Sequence, residues 1–137
     1  MGTKGGESLL YERKSYLFRG ACFDLYKNFG GAFKERVVHN ALIIELEHRG
    51  LKVDTEKRIP VVYKGQKVGT YAPDLIINDV IVVELKVKPF LTGEDERQFW
   101  YYLRSSQYKL GFLINFGPSR LQVKRRIYDK ARKQYPH

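Results

Sequence analysis

A chain of 137 residues with 43% hydrophobic content can bury one sizeable core and is too short for two independent domains. Its 25 Lys and Arg against 15 Asp and Glu leave a formal net charge of +10, which points to a polyanionic partner, although basic proteins of many kinds share that balance. A single cysteine, Cys22, excludes an intramolecular disulfide framework, and no apolar run is long enough to span a bilayer; a soluble, cytoplasmic protein is expected.

The opening Met1-Gly2-Thr3-Lys4-Gly5-Gly6 lacks the apolar centre of a signal peptide. Residues 1–14 are expected to be a disordered or loosely ordered leader, and residues 15–137 one domain with a basic C-terminal helix. Leu17, Ala21 and Leu25 at helical spacing predict a helix over residues 15–28, stopped by Gly30-Gly31. Cys22 lies in the apolar context Ala21-Cys22-Phe23 and reads as a packing residue rather than a nucleophile. A second helix is predicted over residues 33–48, with Val37, Ala41, Ile44 and Leu46 on its apolar side and Gly50 ending it. Short strands follow at residues 53–57 and 61–63, then a Lys64-Gly65-Gln66-Lys67 turn and a strand at residues 68–71. After a hairpin built around Asn78-Asp79 comes a third helix over residues 94–105. Residues 110–115 form a nearly all-apolar run that suits a strand covered on both faces. The pattern predicts an α/β fold, a mixed sheet flanked by helices in three layers, without repeats or internal linkers.

The chemistry concentrates in the hairpin. Pro73-Asp74 is followed, ten residues after the acid, by Glu84-Leu85-Lys86. Side chains alternate along a strand, so Glu84 and Lys86 share a face with Val82 and Lys88, while Ile81, Val83, Leu85 and Val87 form the opposite, core face. A three-residue loop of Asn78, Asp79 and Val80 pairs Ile77 with Ile81 and sets Asp74 opposite Glu84; a two-residue turn would set it opposite Val83. The longer loop is the reading adopted. Two acids and a lysine on one face suit phosphodiester hydrolysis, which needs carboxylate oxygens for a hard divalent cation and a positive group beside the attacking water. The competing reading is a solvated face with a weak surface ion pair. Against it stands the apolar run that these charges interrupt, because charges in a buried strand are rare unless paired or bound to metal.

Other residues join this set at longer range. Glu35, on the first turn of the second helix, either completes a metal shell or stabilises the helix dipole. Gln98 and Tyr102 are i, i+4 on the third helix and share a face, so they can reach the same substrate or lysine. Trp100 and Tyr101 beside them offer rings on which bases could stack, and Phe99 and Leu103 read as core. From Arg120 onward the tail carries Lys124, Arg125, Arg126, Lys130, Arg132 and Lys133 against Asp129. That tail reads as a phosphate-contacting helix or arm, or as an amphipathic helix with solvated cations. The expected nucleic-acid contacts are Lys88, Tyr101, Arg104, Lys124, Arg125 and Arg126.

From about Phe23 to Ile127 the sequence resembles the small GxxExxY proteins, a branch of the PD-(D/E)xK nuclease superfamily. The resemblance rests on Phe33-Lys34-Glu35 with Ala41-Leu42, on Glu45-Leu46 with Gly50-Leu51 and Val53, and on Ile59-Pro60-Val61 with Tyr63-Lys64-Gly65. It continues through Val68-Gly69, Asp74-Leu75, Val82-Val83-Glu84-Leu85-Lys86, Gln98 with Tyr102-Leu103, and the run from Gly111 to Gly117. It implies a restriction-endonuclease-like three-layer αβα fold with a central mixed sheet. Asp74 and Glu84 would be the metal-binding acids, with the Leu85 carbonyl as a further ligand and Glu35 as the helix acid. Lys86 would be the catalytic lysine. Gln98 and Tyr102 are similar to the Q-x-x-x-Y motif of the RecB-like branch, which helps place the lysine and the nucleic acid. The branch's naming Gly and Tyr fall on Ala32 and Val38 here, and its His three residues before the glutamine falls on Asp95.

The expectation is therefore a Mg²⁺- or Mn²⁺-dependent nuclease acting on nucleic acid, DNA first, as a homodimer or within a larger complex and without a membrane partner. A non-catalytic nucleic-acid-binding module that keeps the fold is the alternative. A basic structural protein with a solvated charged strand is a third reading, which a buried Glu84 and Lys86 converging on Asp74 would exclude.

Overall fold

The structure, a computed structural model, describes residues 11–128. Helix α1 spans Glu12–Phe29 and α2 spans Glu35–His48. The helix is thus under way inside the segment expected to be a leader, whose first ten residues lie outside the described residues. Gly30, at φ 64° and ψ −152°, ends α1 by donating its N–H to the Tyr26 carbonyl at 2.7 Å; this is a backbone region that glycine, without a Cβ, enters freely. Two polar ties fasten the helix pair. Arg49 bonds Asp24 of α1 and, at 3.1 Å, Glu45 of α2.

Strands β1 (Val53–Asp54), β4 (Leu75–Ile77), β5 (Ile81–Lys86), β6 (Leu110–Phe116) and β7 (Leu121–Ile127) form one sheet in the order β1-β4-β5-β6-β7. Only β5 and β6 run parallel, joined across one face by helix α3 (Gly93–Ser105). β2 (Ile59–Tyr63) and β3 (Gln66–Tyr71) form a separate hairpin. The sheet is buried on both sides. Phe18, Cys22 and Leu25 of α1 and Val38, Leu42 and Leu46 of α2 pack on Leu75, Ile81, Val83, Leu85, Phe112 and Ile114. On the other face Phe99 and Leu103 of α3, with Ile59 and Tyr71 from the hairpin, cover Ile76, Val82 and Leu113. This is the three-layer αβα architecture the sequence predicts, with Phe99 and Leu103 in the core. Cys22 is fully buried, and burial pushes its thiol up, away from the reactive thiolate.

Gly111 sets the depth of the α3 layer. A Cβ there would stand 2.6 Å from Phe99 Cζ and 3.3 Å from the Val82 carbonyl, so the missing side chain lets the Phe99 ring rest on β6.

Three local differences have physical causes. The strand expected over residues 53–57 stops at Asp54, whose Oδ1 accepts the Glu56 N–H at 2.8 Å, a side-chain turn that ends pairing. The turn expected over residues 64–67 tightens to Lys64-Gly65, both at positive φ, and the extra residue is absorbed as a register shift between Val61 and Val62. The basic C-terminal helix is corrected most: Leu121–Ile127 is a strand, antiparallel to β6. Leu121, Val123 and Ile127 alternate with cations, a period of two that the density of charge obscures, and β6 needs a partner on its second edge. The expected tail beyond, residues 129–137, lies outside the described residues.

Candidate active site

β4 pairs with β5 in the register Leu75↔Val83, Ile76↔Val82 and Ile77↔Ile81, which requires the longer Asn78-Asp79-Val80 loop. Asn78 and Asp79 take φ of 49° and 57°, a left-handed conformation that these two residue types tolerate better than others. The Val80 N–H closes the turn on the Ile77 carbonyl at 3.0 Å, and Asn78 Oδ1 accepts the Lys52 N–H at 3.0 Å. Asp74, one residue before Leu75, accordingly stands opposite Glu84.

The two acids are fixed by each other's backbone. The Asp74 N–H donates to Glu84 Oε1 at 3.2 Å, and the Leu85 N–H donates to Asp74 Oδ2 at 2.6 Å. One oxygen of each carboxylate is thereby committed. Proline explains why the ladder ends here. Continuing the register would set Pro73 opposite Leu85, and Pro73 has no N–H to give the Leu85 carbonyl, so a side chain takes over the pairing. The Leu85 N–H that meets Asp74 also shows which edge is involved: the Leu85 carbonyl faces the same side, where β4 offers it no donor.

Electrostatically the two carboxylates repel each other. Burial first, and the Asp74 carboxylate next, push Glu84 up to about 8, with Lys86 pulling weakly the other way. Tyr71 adds to the crowding. Its hydroxyl is buried against these carboxylates, within reach of Glu84 but short of a well-aligned hydrogen bond, and is pushed up by burial and then by the Glu84 and Asp74 charges.

Helix α2 brings Glu35 toward the same point. Glu35 is the first residue of the helix, and partial desolvation followed by the Asp74 charge raises its carboxyl, opposed by Lys86. One turn on, His39 Nε2 lies 3.2 Å from the Asp74 carbonyl, which makes it the donor, since a carbonyl only accepts. A cleft of about 430 Å³ opens here, lined by Glu35, Arg36, His39, Thr55, Arg58 and Asp74. Among the described residues, no group of three or more His, Cys, Asp and Glu side chains closes into a preformed metal cage.

Helix α3 reaches the site through one aromatic contact. Tyr102 stacks on Tyr71, with centroids 4.3 Å apart and planes 7° from parallel. Gln98 is exposed and its side chain makes no hydrogen bond among the described residues, so the structure does not join it to Lys86. Asp95 is absorbed into the helix start. It forms a capping box with Thr92, and Lys88 Nζ bonds its Oδ2 at 2.7 Å. Burial pushes Asp95 up, but the bonds from Lys88 and Thr92 outweigh it and hold the carboxyl at about 2. Beyond Lys86 the chain is pinned by Asn115, fully buried, which bonds Lys88 N and Lys88 O at 3.0 and 2.9 Å.

The expected nucleic-acid contacts divide. Lys88 is paired with Asp95, while Arg126 and Lys124 flank Glu96 at 2.9 and 4.0 Å. Arg125, next along β7, alternates to the other face of the sheet, where burial and then Arg19 lower its pKa. Tyr101 is exposed, and the Arg104 guanidinium lies over the rings of Tyr101 and Tyr128. Sequence reading missed Tyr71, His39, Arg36, Arg58 and Asn115. Only His39 carried a usable signal, its i+4 spacing from Glu35.

A mixed sheet between two helical layers, with paired acids where a β4 ladder breaks at proline, defines a restriction-endonuclease-like α/β domain. The family model of the PD-(D/E)XK nuclease superfamily matches residues 12–127, and the chain belongs to that superfamily. Neither the curated proteins nor the solved structures contain a significant match. Members of the superfamily are nucleases that typically use divalent metals. Among the described residues, no helix is long and apolar enough to cross a membrane.

Proposed function

We propose that this chain is a divalent-metal-dependent nuclease of the GxxExxY branch that hydrolyses phosphodiester bonds of DNA. The observation that carries the reading is the Asp74–Glu84 pair, two half-buried carboxylates held together with one oxygen of each left outside the backbone bonds that fix them. Such a pair is costly unless a cation joins it. The donor set suits Mg²⁺ or Mn²⁺: two carboxylates, the Leu85 carbonyl on the edge that Pro73 leaves without a donor, and water for the remaining positions, which Mg²⁺ retains readily. Glu35 would join through water, in keeping with the absence of a closed cage among the described residues.

A bound cation supplies Lewis-acid polarisation of the phosphoryl oxygen and a more acidic water. Asp74 and Glu84 hold that position. Lys86, two residues from Glu84 and on its face of β5, orients the attacking water and offsets the negative charge that grows on the phosphorus centre. Tyr102, braced by the Tyr71 stack, positions the substrate strand, and Gln98 contacts it from the exposed side of α3.

Labelled single-stranded and duplex DNA and RNA, incubated with Mg²⁺, Mn²⁺ or EDTA, test the reading, with Asp74→Ala protein in parallel. Metal-dependent products that disappear in the variant are expected. The open metal cage favours a second reading, a nucleic-acid-binding module without catalysis; salt-sensitive binding by both proteins, with no products from either, would establish it instead.

A further inference from the structure

We infer that the cleft between the first turns of α2 and the base of the β2–β3 hairpin is a phosphate-binding subsite for the substrate strand, with Arg36 and Arg58 as its two cations. The inference rests on the nuclease reading and gives that site a second half. The cleft directly adjoins the acids, since Glu35 and Asp74 form part of its wall, and its volume of about 430 Å³ is that of a small-ligand site. Its cations come from two separate elements, Arg36 from α2 and Arg58 from the residue before β2. Thr55 and His39 also line it, the His39 ring tied to the Asp74 carbonyl.

Two arginines converge beside the acids here, and among the described residues neither is spent on a neighbouring carboxylate. On the α3 side, by contrast, Lys88 is paired with Asp95, and Lys124 and Arg126 share Glu96. Among the described residues Arg36 and Arg58 form no ion pair; the one bond of Arg58 is a long 3.5 Å contact to the Lys57 carbonyl. The α2 N-terminus has no side-chain cap, and Val37 and Val38 already donate to the Lys34 carbonyl, so of the first turn the Glu35 and Arg36 amides remain for an anion. A phosphate seated here would be one step along the backbone from a scissile group held at Asp74 and Glu84. Arginine suits that role, because its planar fork meets two phosphate oxygens at once.

The test is the salt dependence of binding, measured by fluorescence anisotropy with labelled single-stranded and duplex DNA 20-mers in EDTA, on wild type, Arg36→Ala, Arg58→Ala and Arg13→Ala. All three arginines are exposed, so the folds should persist. Arg13 lies on the first turn of α1, far from the cleft along the helix. For each cleft variant the slope of log K against log salt should fall by about 0.9 on the duplex or about 0.7 on the single strand. Arg13→Ala should leave it unchanged. Unchanged slopes in both cleft variants, or an equal fall in Arg13→Ala, would overturn the subsite even if metal-dependent cleavage is found. Falls confined to the cleft variants would uphold it even if no metal supports cleavage, in which case the nuclease reading alone fails.

Discussion

Replacing Glu84 by Gln isolates the property on which the account depends, a half-buried carboxylate held beside another. Its usual value of 4.5 is pushed up to about 8 in the folded chain, by burial and then by Asp74. A raised carboxylate favours the folded state while it holds its proton, so this stability is complete below the unfolded value and is lost as pH rises toward 8. Over that window the folded chain binds about one more proton than the unfolded chain, a slope of roughly 1.4 kcal/mol per pH unit. Because that difference shrinks at both ends of the window, the loss between pH 5 and pH 8 amounts to about 3.5 kcal/mol, a fall in melting temperature on the order of 10 °C for a domain of this size. Thermal melts in EDTA across this range read it directly. Glu84→Gln, which cannot titrate, should flatten the curve, and Mg²⁺ should raise the wild-type melting temperature most at pH 8, where the cation no longer competes with a proton. The same slope in Glu84→Gln as in wild type would refute the reasoning.

Other substitutions probe single contacts. Gly111→Ala sets a methyl 2.6 Å from Phe99 Cζ in a core without slack, and should cost about 1–3 kcal/mol in a denaturant melt; an unchanged midpoint would contradict the packing. Asp95→Ala removes the capping box and the Lys88 bond and should cost about 1 kcal/mol at pH 7. Because Asp95 is held at about 2, its charge-dependent contribution is present above the unfolded value and lost as pH falls toward 2, so the difference from wild type should narrow below pH 4. Tyr71→Phe deletes a buried hydroxyl that falls short of a well-aligned hydrogen bond and should raise stability in EDTA by about 1 kcal/mol. A lower melting temperature in that variant would mean that the hydroxyl is bonded to Glu84.

The hairpin was the most legible part of the chain, because a side-chain period of two and a loop of stated length leave a single partner for Asp74. The three helices were also legible from apolar spacing and glycine stops, with ends displaced by a few residues. β7 was not. Lys124, Arg125 and Arg126 read as a basic helix until the apolar positions 121, 123 and 127 find their match on β6, a long-range pairing that no local window contains. Charge was the least legible quantity. Lys88 and Lys124 looked available for phosphate, yet Asp95 and Glu96 occupy them, and the uncommitted Arg36 and Arg58 are separated by more than twenty residues of sequence. Tyr71 shows the same limit. Nothing local marks a strand-end tyrosine as the ring that joins Tyr102 to the acids.

Lys86→Ala gives the most direct test of the central claim, because it separates holding the metal from cutting the strand. Mn²⁺ binding measured by calorimetry, alongside cleavage of labelled DNA by the same protein, should show metal bound as in wild type and products lost. Cleavage at the wild-type rate in Lys86→Ala, or metal binding that survives Asp74→Ala, would contradict the assignment of these residues as the catalytic centre.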